Sequence, residues 1–130
     1  MIGWLPGETN AVDVRDVAAA HIAAAERGRV GERYILGGHN LPVRAALTTA
    51  ARVAGVKPPW FEIPLWGAEG LAKLGTLLPA LPLPANHLRT VRHWQRVNAQ
   101  KAQQELGLAP RPFEDTVRDA LDWFRAEGML

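Results

Sequence analysis

The sequence contains no cysteine and no serine, only one tyrosine, and no long hydrophobic run free of charge and proline. Without cysteine there is no disulfide scaffold, no thiolate zinc site and no cysteine nucleophile, which fits a reducing compartment. Without serine the commonest hydroxyl nucleophile is gone. The least polar stretch, residues 63–85, carries Glu69 and Lys73 and is broken by Pro64, Pro79, Pro82 and Pro84. That pattern does not suit a membrane-spanning helix, and it reads instead as a buried or cleft-lining segment. The start, MIGWLPGETN, has neither the basic nor the apolar region of a secretory signal, so a cytoplasmic chain with no membrane partner is expected.

What is present suits one folded domain. The 130 residues are 48% hydrophobic, enough to build a core, and fall short of a dinucleotide domain plus a substrate domain. A single domain over residues 1–130 is the expectation, not a complete two-domain enzyme. Fifteen Lys and Arg oppose thirteen Asp and Glu, evenly along the chain. Such balance gives little counterion-release drive, so no nucleic-acid partner is expected.

Local signals divide the chain into elements. Residues 11–14 alternate as a short strand, Asp16 stands as a helix N-cap worth about 1 kcal/mol, and an alanine-rich helix over 17–26 ends at Gly28. Arg33-Tyr34-Ile35-Leu36 reads as a second strand between Gly31 and Gly37. Asn40 is the expected cap of a helix over 43–54, closed by Gly55 and Pro58-Pro59, and a third strand follows over 60–63. The second half reads as helical over 65–78, 85–96, 98–107 and 115–127, with Val117, Ala120, Leu121 and Phe124 forming an apolar stripe in the last. The predicted class is α/β: short strands alternating with helices, then a mostly helical second half.

Strands separated by helices imply parallel pairing. Tyr34-Ile35-Leu36 is apolar at successive positions, the pattern of a strand covered on both faces inside a larger parallel sheet. The chain offers too few strands for that. Either it is part of something larger, or it is a tight two- or three-stranded domain with helices packed on both sides.

Motifs for chemistry are sparse. There is no G-x-G-x-x-G, and none of Lys57, Lys73 and Lys101 follows glycine as a Walker lysine would. His21, His39, His87 and His93 lack metal-ligand spacing, so no metal site is expected. Asp13 can pair with Arg15 or Arg33, a structural role. Tyr34 has Gly38 four residues on, not the lysine that a dehydrogenase tyrosine requires. The best ligand candidate is the basic stretch 86–97. On a helix Arg89, Arg92 and Arg96 share a face suited to a phosphate or diphosphate, or equally form a solvated basic face over Leu88, Val91 and Trp94.

Four segments in order carry a family resemblance: Val12-Asp-Val-Arg-Asp-Val-Ala18 with His21, Gly31-Glu-Arg-Tyr-Ile-Leu-Gly-Gly38 with Asn40, Lys101-Ala-Gln-Gln-Glu-Leu-Gly107 with Pro110-Arg-Pro112, and Ala120 through Trp123-Phe124. From about Leu5 to Leu130 the chain resembles the C-terminal, substrate-binding part of extended short-chain dehydrogenases. The similar subgroup is the NAD-dependent epimerase/dehydratase family, with its dihydroflavonol-reductase-like and hopanoid-associated sugar epimerase members. The resemblance implies a partial domain whose segment 32–38 is the last strand of a Rossmann sheet, with NAD(P) held elsewhere and no cofactor in this chain. It implies a nucleotide sugar or a small alcohol or ketone as ligand, and either a cofactor-binding Rossmann half or self-association to complete the sheet. Arg89, with Arg92 as the second choice, matches the family's substrate-phosphate arginine. Asn98 replaces the usual acidic residue or serine and can cap a helix as they do. No catalytic residue carries over, so the expectation is a substrate lobe that is not competent alone. The alternative is a free-standing binding or interaction module that kept the fold without the chemistry.

Overall fold

The computed structural model describes residues 3–67 and 96–130. In chain order the described elements are β1 (Gly3–Trp4), β2 (Glu8–Ala11), α1 (Val14–Arg27), β3 (His39–Pro42), α2 (Val43–Ala54), β4 (Phe61–Glu62), α3 (Gln100–Leu106) and α4 (Phe113–Ala126). The architecture is mixed α/β, as the sequence predicts. The helices expected over 65–78 and 85–96 fall almost wholly outside the described residues, and Arg89 and Arg92 with them.

Two small ladders organise the strands. β1 and β4 pair in parallel, Gly3 opposite Phe61 and Trp4 opposite Glu62, and the ladder extends through Ile63 N–H donating to the Trp4 carbonyl at 2.8 Å. β2 and β3 pair antiparallel, from Glu8 opposite Pro42 to Ala11 opposite His39. The expected all-parallel pairing is therefore corrected. A helical crossover permits parallel strands, but the irregular residues 28–38 after α1 are long enough to reverse the chain. Gly38 makes the pairing possible, since a Cβ there would lie 2.1 Å from the Ala11 carbonyl oxygen.

Helix boundaries follow local chemistry, with three corrections. β2 ends at Ala11, so α1 starts earlier than expected and its cap is Asp13, whose carboxylate accepts from Arg15 N–H at 2.9 Å. Asp16 lies inside the first turn, where a negative charge suits the helix dipole. Asn40 sits within β3, and the N-cap of α2 is Pro42, which fixes the backbone without a side-chain cap. Pro112 starts α4 in the same way. The predicted span of α2 is borne out, with Gly55 in the left-handed conformation at its end. Gly107 ends α3 similarly, and Asn98 precedes that helix by accepting from Gln100 N–H at 2.9 Å.

The third correction concerns Arg33–Leu36, which joins no ladder among the described residues. Tyr34 and Leu36 turn inward and pack on the core, whereas Ile35 faces out. That core is Ala20 and Ala23 of α1 against Ala99, Ala102, Leu106 and Leu108. Alanines at these positions let α1 and α3 approach closely. α2 packs on α4, whose apolar stripe is only half covered, with Val117 and Leu121 partly buried and Ala120 and Phe124 exposed. Among the described residues no helix is long and apolar enough to cross a membrane.

Candidate functional site

Apart from the Arg52–Glu114–Arg118 network that ties α2 to α4, the charged residues concentrate in three places, and two of them hold the fold together. Asp13 and Asp16, both buried, form one anchor. Arg15 donates to both oxygens of Asp13, at 2.9 and 2.8 Å, and to Asp119 of α4 at 2.6 Å. Arg111 grips Asp16 through its backbone N–H at 2.9 Å and its guanidinium at 2.9 and 2.7 Å. The Arg15 hydrogen bond holds the Asp13 carboxyl far below its ordinary value against the opposing effect of burial, and the Arg111 hydrogen bond lowers that of Asp16. Both carboxylates are thus fixed as anions, unsuited to general acid work. His39 donates from Nε2 to the Arg111 carbonyl at 2.8 Å, which ties β3 to the same segment.

The second cluster fastens residues 29–34 to α3. The Tyr34 hydroxyl donates to Glu105 at 2.7 Å and accepts from Arg29 N–H at 3.1 Å, while Arg29 forms a two-point pair with Glu105. Lys101 lies 4.6 Å from the centre of the Tyr34 ring and contacts Glu32 at 2.5 Å. The only phenol of the chain is therefore a structural tether, as the missing lysine at position 38 implies. Among the described residues His21 bonds only to the Val17 carbonyl of its own helix, at 2.8 Å. Among the described residues no group of three or more His, Asp or Glu could hold a metal ion.

The third place is a polar cleft of about 540 Å³ lined by Gly38, Asn40, Arg96, Val97, Asn98 and the first residues of α3 with Gln103. It lies where residues 96–98 cross β2 and β3. Arg96 is the one described member of the basic stretch, and its guanidinium meets Glu8 in a two-point pair at 2.9 and 3.0 Å. That hydrogen bond lowers the Glu8 carboxyl and raises Arg96. The cleft thus combines a guanidinium, side-chain amides and backbone groups, a set that can receive hydroxyl, carboxylate or phosphate oxygens. An apolar cleft of about 850 Å³ lies elsewhere, between α2, Trp60 and Leu121 of α4.

Sequence reasoning named Arg96 only as sharing a face with the preferred Arg89 and Arg92, and missed its partners. Glu8, Asn10 and Asn40 reach the 96–98 segment from strands 57–88 residues away, or through one another, as Asn10 does by donating to Asn40 at 3.0 Å. The only local hint was the Gly37-Gly38 pair, which brings backbone and neighbours unusually close: a Cβ on Gly37 would lie 2.5 Å from Val97 Cγ1.

Comparison with known proteins places this arrangement. No protein-family model matches the chain. A dihydroflavonol 4-reductase-like protein of Synechocystis sp. is 34% identical over 133 residues, spanning 93% of this chain and 38% of that protein. Sterol demethylase protein B of Methylococcus capsulatus is 28% identical over all of this chain and 42% of its own length. A 4-hydroxy-2-methyl-3-oxo-4-farnesyl-3,4-dihydroquinoline-1-oxide ketoreductase of Stigmatella aurantiaca is 33% identical over 91% of this chain and 39% of that protein. Among solved structures, PA4631, a nucleoside-diphosphate-sugar epimerase from Pseudomonas aeruginosa, superposes with a TM-score of 0.81 at 32% identity, and gox2253 with 0.79 at 34%. Each superposition covers 98% of this chain and 39% or 40% of the other. The chain thus spans about two-fifths of the length of the relatives it matches. On this agreement of sequence and fold, the chain belongs to the extended short-chain dehydrogenase, NAD-dependent epimerase/dehydratase family, and corresponds to its C-terminal part.

Proposed function

We propose that the chain is the substrate-side lobe of an NAD(P)-dependent nucleotide-sugar epimerase/dehydratase or dihydroflavonol-reductase-like oxidoreductase, not catalytically competent alone and completed by a cofactor-binding domain. The observation that carries this reading is the two-sided character of α1. Asp16, Ala20 and Ala23 point into the fold, while Val14, Ala18, Ile22 and Ala25 form an apolar stripe on the opposite side, Val14 77% and Ile22 62% exposed. Ile35, 58% exposed, lies on a segment that pairs with no strand among the described residues. A helix apolar on opposite faces belongs between two layers, and only one is described here. The second layer, in this reading, is the cofactor domain.

The polar cleft is assigned to the polar end of a substrate, with Arg96 described there and Arg89 and Arg92 proposed as further contacts from the sequence. The family relatives include a nucleoside-diphosphate-sugar epimerase, and others named for a sterol and a farnesylated quinoline. The substrate class accordingly runs from nucleotide sugars to alcohols and ketones. The competing reading, a free-standing module, requires α1's outer stripe to be inert. Sedimentation velocity with a hydrophobic dye separates the two. The lobe reading expects concentration-dependent self-association or strong dye binding; a clean monomer that binds no dye would favour the module.

A further inference from the structure

We propose that Asn40 is a positioning residue that sets Arg96 at the polar cleft by clamping the backbone of Val97. Its significance for substrate binding rests on the lobe reading above, whereas the clamp itself stands on geometry. The Asn40 side-chain amide donates from Nδ2 to the Val97 carbonyl and accepts at Oδ1 from Val97 N–H, each at 2.9 Å. One side chain therefore pairs with Val97 as a neighbouring strand's backbone would. Asn10 donates to the same Oδ1 at 3.0 Å and accepts from Gly38 N–H at 2.9 Å, so the amide plane is fixed from β2.

The chemistry explains why an asparagine stands here. The position needs a donor and an acceptor on one short planar group; aspartate lacks the donor, leucine lacks both, and glutamine is one methylene too long. Steric fit acts in the same sense, because Gly37 lies directly under the Val97 side chain, where a Cβ would be 2.5 Å from Val97 Cγ1. Glu8 and Asn10, two residues apart on β2, share one face of the strand. Asn10 braces the clamp at Val97 while Glu8 takes the guanidinium of Arg96. Val97 fixes where the arginine starts, and Glu8 fixes where it points.

The clamp is exposed to solvent, so its hydrogen bonds direct a segment more than they support the fold. This separates positioning from general stability. In the full chain, amide hydrogen exchange and the Arg96 Nε–H resonance are read for wild type, Asn40→Asp and Asn40→Leu, together with the affinity for uridine diphosphate as probe. Asn40→Leu is expected to speed exchange at Val97 about tenfold or more, as loss of two hydrogen bonds of about 1 kcal/mol implies. It also displaces the Arg96 signal, while exchange at Ala102 and Leu106 in the core stays as in wild type. Asn40→Asp, which keeps the acceptor, preserves protection of Val97 N–H but still shifts Arg96, because two oxygens then face each other across the clamp.

In Asn40→Leu, unchanged exchange at Val97 or an equal rise at Val97 and in the core would overturn the proposal, as would an unshifted Arg96 signal in either variant. If wild type binds the probe, both variants must weaken it, and undiminished binding also overturns the proposal. If wild type does not bind it, the nucleotide-sugar form of the functional reading fails, and the exchange and Arg96 readouts still decide the clamp.

Discussion

At Asp16 a carboxylate is buried and yet stays charged, because Arg111 presents it with three donors. Its folded pKa lies below the ordinary value of about 3.9. A lowered folded pKa contributes stability above the unfolded value, and that contribution fades as pH falls from about 4 through the folded value. Asp16→Asn should therefore lower the melting temperature at pH 7, and the gap between variant and wild type should close progressively below pH 4. A gap that stays constant from pH 7 to pH 3 in thermal denaturation followed by circular dichroism would show that the Arg111 pairing does not set this stability. Leu106 illustrates the opposite kind of residue, apolar and only 2% exposed at the centre of the core. Truncation to alanine removes its contacts and leaves a cavity, with an expected loss of about 2–5 kcal/mol in urea denaturation. The surface pair of Glu8 and Arg96 contributes little to stability by comparison, since water and salt screen it. Its value is in aiming a guanidinium.

Among the elements, the span of α2 was legible in the sequence, though not its cap, because the signals that set the span are local: apolar residues at helical spacing, Gly55 at its end, and prolines that forbid continuation. α1 was legible as a helix but not at its start. Asp13 and Asp16 are equally good caps in isolation, and the choice between them depends on where β2 ends, which is decided by pairing with β3. The same non-locality hid the direction of that pairing. It also explains Arg33–Leu36, whose β-prone residues form no ladder among the described residues because a ladder needs a partner. Asn40 was misread as a cap for a related reason: its hydrogen bonds go to Val97, and no spacing within the chain announces a contact 57 residues away. Arg96 was legible only as one of three arginines on a basic face, with Arg89 and Arg92 preferred, and its pairing with Glu8 was not legible at all. The outer stripe of α1 gives a test at this scale. Ile22→Glu should leave the thermal stability of the chain nearly unchanged, because Ile22 already faces water, and should reduce self-association and dye binding. A large loss of stability would mean that this face is packed within the chain itself.

At the scale of the whole molecule, the described residues form a small alanine-lined core with a polar cleft and an apolar surface that no other described residue covers. Its superposition on nearly all of this chain but only about two-fifths of each solved relative matches that uneven surface. The described residues contain no glycine-rich phosphate loop and no Tyr-x-x-x-Lys pair, and the buried carboxylates Asp13 and Asp16 are held by arginines. In the proposed function, substrate contact falls to this lobe and cofactor chemistry to a partner domain. Calorimetric titration of the isolated chain with NADH tests that division most directly. The account predicts no saturable heat up to millimolar cofactor, and a dissociation constant in the micromolar range would contradict it.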